Sequence, residues 1–334
     1  MSTGRTARRL VTLPLVLGWH TLVVLTLPLT LLAAVVVSLV AGSSRPLRTV
    51  VLLAAWSALE LVTVLRVVNL RRQTQEAGGR SDLDAQWQAL IRWVLVRGYA
   101  VISRVLDLRV RLEDGSATPG ETERCEGGVI VLARHCGPGD TFLIAWLLAV
   151  HYRLRLRVVL KSLLRVIPAI DLAGDALPFC FVGARRGAAR TGIAKLAASL
   201  DVGDALLLFP EGANYSRKRW IEQMRKVAHS GEALRARRLR RNEHTLPPRT
   251  GGFTAAVGAA PSAAVLLLAH TGLSDDGRDR PWWQLPVHRD LVVRTLLVPP
   301  DRVPQAADLP PWLDQEWTRV DTWIEARAAL EASA

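Results

Sequence analysis

Two long apolar runs open the chain. From Leu10 to Val40 the only ionisable side chain is His20, and Thr49 to Val68 is a second run interrupted only by Glu60 and Arg66. About 20 apolar residues suffice to cross a hydrocarbon core, so the pattern predicts a membrane helical hairpin over residues 1–70. Arg5, Arg8 and Arg9 would suit a cleaved leader, but the first run is too long for one and a second follows. Arg5, Arg8 and Arg9 precede the first segment and Arg66, Arg71 and Arg72 close the second, against Arg45 and Arg48 in the link. That balance puts both ends on the cytoplasmic side by a narrow margin. A re-entrant pair of helices within one leaflet satisfies the same pattern. Glu60 is expected to be a buried carboxyl, protonated or reaching Arg66.

Beyond the hairpin the pattern changes. Residues 71–90 are polar and contain glycine, so residues 71–110 read as a linker and an amphipathic helix. Residues 111–334 then alternate short apolar runs with helical periodicity. GVIVLA (128–133), RLRVVL (155–160), PFCFVG (178–183), ALLLFP (205–210) and AAVLLLAH (263–270) have the length and β-branched content of strands. DTFLIAWLLAVHY, GAARTGIAKLAASL and SRKRWIEQMRKVAHSGEALRARRLRRN read as helices. The alternation predicts an α/β domain, a sheet with helical crossovers, ending in a C-terminal helix.

Charge sharpens the picture. The 334 residues carry a formal net charge of +13, which favours a polyanionic partner. From Arg217 to Arg241 ten Lys and Arg face only Glu222 and Glu232, with Trp220 the single residue for stacking on bases. Nucleic acid is therefore disfavoured; beside a membrane hairpin, anionic headgroups, CoA phosphates or an acidic carrier protein fit better. Cys125, Cys136 and Cys180 lack metal-ligand spacing and fit a reducing compartment, with Cys136 read as packing. No metal site or cofactor is expected.

Candidate chemistry begins at RHCGPGD. His135 and Asp140 are five positions apart, a spacing that a regular helix would place on diverging faces. Gly137, Pro138 and Gly139 predict a turn, with Asp140 capping the next helix and its carboxylate folding back to the imidazole. A carboxylate on one ring nitrogen fixes the tautomer and stabilises the imidazolium formed when the other takes a proton. The pair makes a base without supplying a nucleophile. Some seventy residues on, FPEG (Phe209, Pro210, Glu211, Gly212) closes another strand candidate, where α/β sheets place ligand loops.

Together, H-x-x-x-x-D and F-P-E-G resemble the motifs of the 1-acylglycerol-3-phosphate acyltransferase family of membrane-bound glycerolipid acyltransferases. LKSLLRVIPAIDLAG resembles the family's lysine, helix and Ile-Pro segment. LPPRTGGFTAAV and PPWLDQEWTRVDTWI are similar to segments of its lysophosphatidate and lysocardiolipin branch. The resemblance covers roughly residues 125–325. It implies that His135 is the general base, Asp140 its orienting partner, and that the acceptor hydroxyl attacks an acyl-CoA or acyl-carrier-protein thioester directly. It also implies that Phe209, Pro210, Glu211 and Gly212 shape the acceptor site. Lys161 and an arginine near Phe181 would hold phosphate.

The chain departs from the family in places. Ala184 stands where the family has arginine, leaving Arg185 or Arg186 to serve, and Ala213 and Asn214 replace Thr and Arg of F-P-E-G-T-R. Arg217, Lys218 and Arg219 are the nearest cations to Asn214. The implied activity is acyl transfer to a lysophospholipid at the cytoplasmic face of a cell membrane, 1-acylglycerol-3-phosphate giving phosphatidate being favoured. Lysocardiolipin or lysophosphatidylglycerol remodelling, a noncatalytic lipid-binding protein and a thioester hydrolase are the alternatives.

Overall fold

The computed structural model describes residues 3–77, 81–137, 139–174, 176–183, 186–273, 286–305 and 307–333. The chain folds into two compact units. One gathers the chain up to Leu108 with Leu160–Phe179 and a short stretch ending at His288; the other holds Arg109–Val159 and most of the remainder.

The first unit is helical. α1 (Thr3–Leu25) and α2 (Leu27–Val40) divide at Thr26, where Pro28 suits the first turn of a new helix. α3 (Arg45–Ala77) returns alongside both. His20 Nδ1 meets Ser57 Oγ at 2.9 Å, and Ser38 Oγ accepts the Leu47 N–H at 3.1 Å, so α1 and α2 run antiparallel to α3. Arg8–Leu25 and Arg45–Gln73 are long and apolar enough to cross a membrane. The expected linker is helical on both sides of its glycines: α3 continues to Ala77 and α4 runs Ser81–Leu106. The reason is packing, since Trp87 joins Val67, Leu70, Ala173 and Leu177 in an apolar cluster. Glu60 does not pair with Arg66. Its Oε1 accepts the Ala169 N–H at 2.8 Å, while Arg66 lies over the Trp93 ring at 4.0 Å.

The second unit is built on a mixed sheet of seven strands: β1 (Leu108–Leu112), β2 (Val129–Ala133), β3 (Arg155–Lys161), β4 (Phe179–Val182), β5 (Asp204–Leu208), β6 (Ala264–Thr271) and β7 (Arg289–Val298). Their order is β1-β7-β6-β2-β5-β3-β4. β2 pairs in parallel with β5 and β6, β3 in parallel with β5, and β7 runs antiparallel to β6. All five apolar runs became strands. β1 and β7 did not announce themselves, because their alternating exposure (Arg109, Arg111, Arg294) dilutes the apolar signal.

The remaining helices are α5 (Pro119–Glu123), α6 (Asp140–Trp146, extended by a π turn to His151), α7 (Pro168–Ala173), α8 (Arg186–Ala198), α9 (Arg217–His229), α10 (Ala233–Leu239), α11 (Thr250–Ala259) and α12 (Leu309–Ser333). α9 and α10 replace the single basic helix expected from Ser216 to Asn242; Gly231 at φ +80° turns the chain between them. Every residue of β2, β5 and β6 is buried. Ile130, Leu132, Leu206, Leu208, Val265 and Leu267 share a face, which packs with Ile193, Phe253 and the fully buried Trp317 of α8, α11 and α12. Strands sealed on both faces have no polar positions to alternate, which is why these runs read as continuous apolar blocks.

Candidate active site

The C-terminal ends of β2, β5 and β6 lie side by side, and each releases a loop carrying polar residues. After β2, the chain passes Arg134 and His135 and turns through Gly139, whose φ of +90° lies in the left-handed region that glycine tolerates best. Gly139 takes the N-cap position of α6 and Asp140 is the first helical residue, one step beyond the cap expected for it. The carboxylate is therefore directed into the loop. Its Oδ2 meets His135 Nδ1 at 2.8 Å and accepts the Cys136 N–H at 2.8 Å and the Gly137 N–H at 3.3 Å. Its Oδ1 accepts the Thr141 N–H at 2.5 Å. Burial opposes ionisation of Asp140, but the His135 hydrogen bond, the charges of His135 and His270 and the Gly137 N–H outweigh it. They hold the carboxyl below its ordinary pKa.

His135 keeps 17% of its side chain exposed while Asp140 keeps 1%. The Phe209 ring lies 4.5 Å from the imidazole centroid, tilted by 37°. With Nδ1 committed to Asp140, Nε2 is the nitrogen left to take a proton.

Glu211 stands differently from its expected place. It is fully buried, and its carboxylate accepts two backbone N–H groups: His135 through Oε1 at 3.1 Å and Leu246 through Oε2 at 2.9 Å. Burial pushes its pKa up to about 8, while Arg134 and those two N–H groups pull the other way. The His135 carbonyl is also held, by the Tyr215 N–H at 2.7 Å. Glu211 thus fixes loops rather than facing a ligand. Gly212 follows at φ +70°; a Cβ there would lie 2.9 Å from the Arg249 guanidinium. The Arg249 N–H donates to the Pro210 carbonyl at 2.8 Å.

A layer beneath braces β2 against β6. Arg134, fully buried, donates to the carbonyls of His270 at 2.6 Å and His244 at 3.0 Å. His270 Nε2 meets the Arg134 carbonyl at 3.0 Å and its Nδ1 meets Cys136 Sγ at 3.6 Å. Cys136, Asp140 and His270 each bring one potential metal-ligand atom within 4.8 Å of the others, the one such group among the described residues that includes a site residue. All three already serve hydrogen bonds in the loop.

The expected phosphate ligands are brought together only in part. Arg219 Nη1 donates to the Asn214 carbonyl at 3.1 Å, so a guanidinium does stand beside the position where the family has arginine. Arg217 lies over the Trp220 ring at 4.4 Å. Lys161 ends β3, is exposed, and groups with the helical unit. Ala184 and Arg185 lie outside the described residues, as does the side chain of Arg186, which opens α8. Two further cations escaped the sequence reading. Arg249 sits against Gly212, and Arg190 lies where a Cβ on Gly251 would come within 2.7 Å of it. The Pro-Arg-Thr segment was the signal for Arg249; none pointed to Arg134, Arg190 or the buried role of Glu211.

Residues 109–269 match the Acyltransferase family model. That stretch is similar to the acyltransferase family and holds β1 to β6 apart from their outermost residues, the His135–Asp140 pair and FPEG, while β7 lies beyond it. Among solved structures, the chain is similar to the 1-acyl-sn-glycerophosphate (LPA) acyltransferase PlsC from Thermotoga maritima. That likeness has 18% identity and a TM-score of 0.49, and covers 80% of this chain and 96% of that one. No curated protein sequence is similar to it at a significant level.

Proposed function

We propose that this chain is a membrane-associated acyltransferase that moves a fatty acyl group from acyl-CoA or acyl-carrier protein to the free hydroxyl of a lysophospholipid. The acceptor we favour is 1-acylglycerol-3-phosphate, giving phosphatidate. The observation that carries the reading is the His135 Nδ1 to Asp140 Oδ2 bond at 2.8 Å on a loop whose backbone is held from both sides. In this mechanism His135 Nε2 takes the hydroxyl proton as the oxygen attacks the thioester carbonyl carbon. The C–S bond breaks, and the departing thiolate takes the proton back from the imidazolium. Asp140, ionised at neutral pH, stabilises that imidazolium. Cys136 is no nucleophile here: it is buried, and its sulfur is spent on His270.

Arg249, bonded to Pro210, and Arg219, bonded to Asn214, supply cations for an acceptor phosphate, with Arg217, Arg185 or Arg186 and Lys161 as further candidates. The test is a lipid profile of membranes given radiolabelled acyl-CoA and a panel of lysolipids, comparing the parent with His135→Ala. Labelled phosphatidate from lysophosphatidate, absent in the variant, supports the reading. Label in lysocardiolipin or lysophosphatidylglycerol products moves the acceptor, and free fatty acid alone makes the protein a thioester hydrolase.

A further inference from the structure

β6 runs through alanine, valine and leucine until it reaches His270, which is fully buried. A buried imidazole costs free energy unless its polar atoms find partners, and both ring nitrogens of His270 have one. Nε2 meets the Arg134 carbonyl at 3.0 Å and Nδ1 meets Cys136 Sγ at 3.6 Å. A carbonyl oxygen can only accept, so Nε2 carries a proton. The contact is returned: Arg134 Nη1 donates to the His270 carbonyl at 2.6 Å, and the Arg134 N–H donates to the Leu268 carbonyl at 3.0 Å. Arg134 and His270 thus clasp each other, side chain to backbone, in both directions.

Between the two residues that the imidazole of His270 touches lies His135. A peptide unit is planar, so the direction of the His135 side chain is set by the two peptide planes that flank it. The plane before His135 is held at the Arg134 carbonyl by His270 and at the His135 N–H by Glu211 Oε1 at 3.1 Å. The plane after it is held at the His135 carbonyl by the Tyr215 N–H at 2.7 Å and at the Cys136 N–H by Asp140 Oδ2 at 2.8 Å. Asp140 belongs to the same loop as His135, and Glu211 and Tyr215 follow β5; the His270 hold comes from β6. Without it the preceding plane is pinned at one atom in place of two and can tilt, carrying the Cβ of His135 with it.

We infer that His270 is a positioning residue for the general base: its Nε2–H fixes the peptide plane before His135 and so aims the imidazole at the acceptor hydroxyl. The inference deepens the acyl-transfer reading above and rests on it. Cys136 meets the His270 ring on its other nitrogen, so its sulfur steadies the ring and not the peptide. Losing that sulfur leaves the clasp on Arg134 standing. Opening the clasp has a different signature. A base displaced by ~1 Å can lose ~10²-fold in rate, and because the substrates are bound elsewhere the loss falls on kcat and leaves KM alone.

The experiment compares two amide replacements in the full-length chain. His270→Gln carries an N–H as far out as Nε2 and can keep the Arg134 carbonyl; His270→Asn carries it only as far as Nδ1 and cannot. In His270→Asn kcat should fall by ~10²-fold with the KM of acceptor and donor unchanged, while His270→Gln stays within about tenfold of the parent. Equal losses in the two variants, a parent-like kcat in His270→Asn, or a loss there that appears as a raised KM overturns the inference. Circular dichroism and urea midpoints show that both are folded. Should His270→Asn fail to fold, His270→Gln decides alone: near-parent kcat supports the inference and a ~10²-fold loss overturns it. The parent gives a further readout, since nitrogen-15 labelling of its histidines should reveal a ring N–H of the Nε2 type protected from exchange. Its absence overturns the inference whether or not either variant folds. A parent inactive on every lysolipid removes the proposed function itself, a result separate from any difference between the variants.

Discussion

The backbone N–H of His135 donates to Glu211 Oε1 at 3.1 Å across 76 positions of sequence. The same carboxylate holds Leu246 through its other oxygen at 2.9 Å. Glu211→Gln keeps the shape but turns one acceptor into a donor, so one backbone N–H meets an NH₂ group. A buried donor left unsatisfied costs about 1–3 kcal/mol, and misplacement of a reacting group by ~1 Å can cost ~10²-fold in rate. Glu211→Gln should therefore lose both stability and kcat, read by urea unfolding and by acyl transfer at saturating acceptor. Unchanged kcat would show that the clamp does not position the base.

Glu211 also sets a pH dependence. Its folded pKa of about 8 lies above the ordinary 4.5, so the folded chain binds the extra proton. Its contribution to stability is full below about 4.5 and is lost as pH rises through about 8. Asp140 acts oppositely: held below 3.8, it contributes above that value and the contribution is lost as pH falls through the folded pKa. Stability measured from pH 5 to 9 in the parent should carry a downward slope that is missing in Glu211→Gln. Equal slopes in the two proteins would discount the buried carboxyl.

His135→Ala should remove activity by ~10²–10⁴-fold with the fold intact, the usual worth of a general base. Asp140→Asn should cost nearly as much, and stability as well, because its two oxygens accept bonds from His135, Cys136, Gly137 and Thr141. Cys136→Ala should keep acyl transfer. Loss in that variant with normal circular dichroism would reinstate a covalent acyl-cysteine.

At Gly212 the backbone φ of +70° penalises any L side chain by roughly 1–2 kcal/mol, and a Cβ would press on Arg249. Gly212→Ala should lower Tm and raise the acceptor KM together. Arg249→Ala and Arg219→Ala should raise KM for the acceptor with little change in kcat, as removal of a ground-state contact does. If both leave lysophosphatidate kinetics unaltered, the acceptor carries a larger headgroup.

Deleting residues 1–70 would remove Val67 and Leu70 from the cluster they form with Trp87, Ala173 and Leu177. It would also strip Arg8 and Arg9 from Asp171. The product should aggregate instead of yielding a soluble domain. Deleting residues 1–40 leaves the cluster whole, and should give the better-behaved chain by gel filtration.

How much of this could be read beforehand follows from burial. β2, β5 and β6 are sealed on both faces and so appear as apolar blocks; β1 and β7, lined with arginine on one side, do not. The His135–Asp140 pair was legible because both partners sit on one short loop. Arg134 was not, since an arginine closing an apolar strand looks like a surface charge until its carbonyl partners on His270 and His244 are known. Glu60 was legible as a buried carboxyl, but its partner was not, because Ala169 is 109 positions away.

The double grip of Glu211 bears on the order in which the molecule becomes active. His135 is steadied by residues contributed after β5, and those loops are joined in turn to the stretch before α11. Contacts between such distant segments close late, because loop entropy must be overcome before they form. A chain still emerging from synthesis, or one opened locally at the sheet's rim, would hold the His135–Asp140 pair on an untethered loop. Thioesters encountering it would meet a poor catalyst, so premature hydrolysis of activated fatty acid is suppressed by assembly itself.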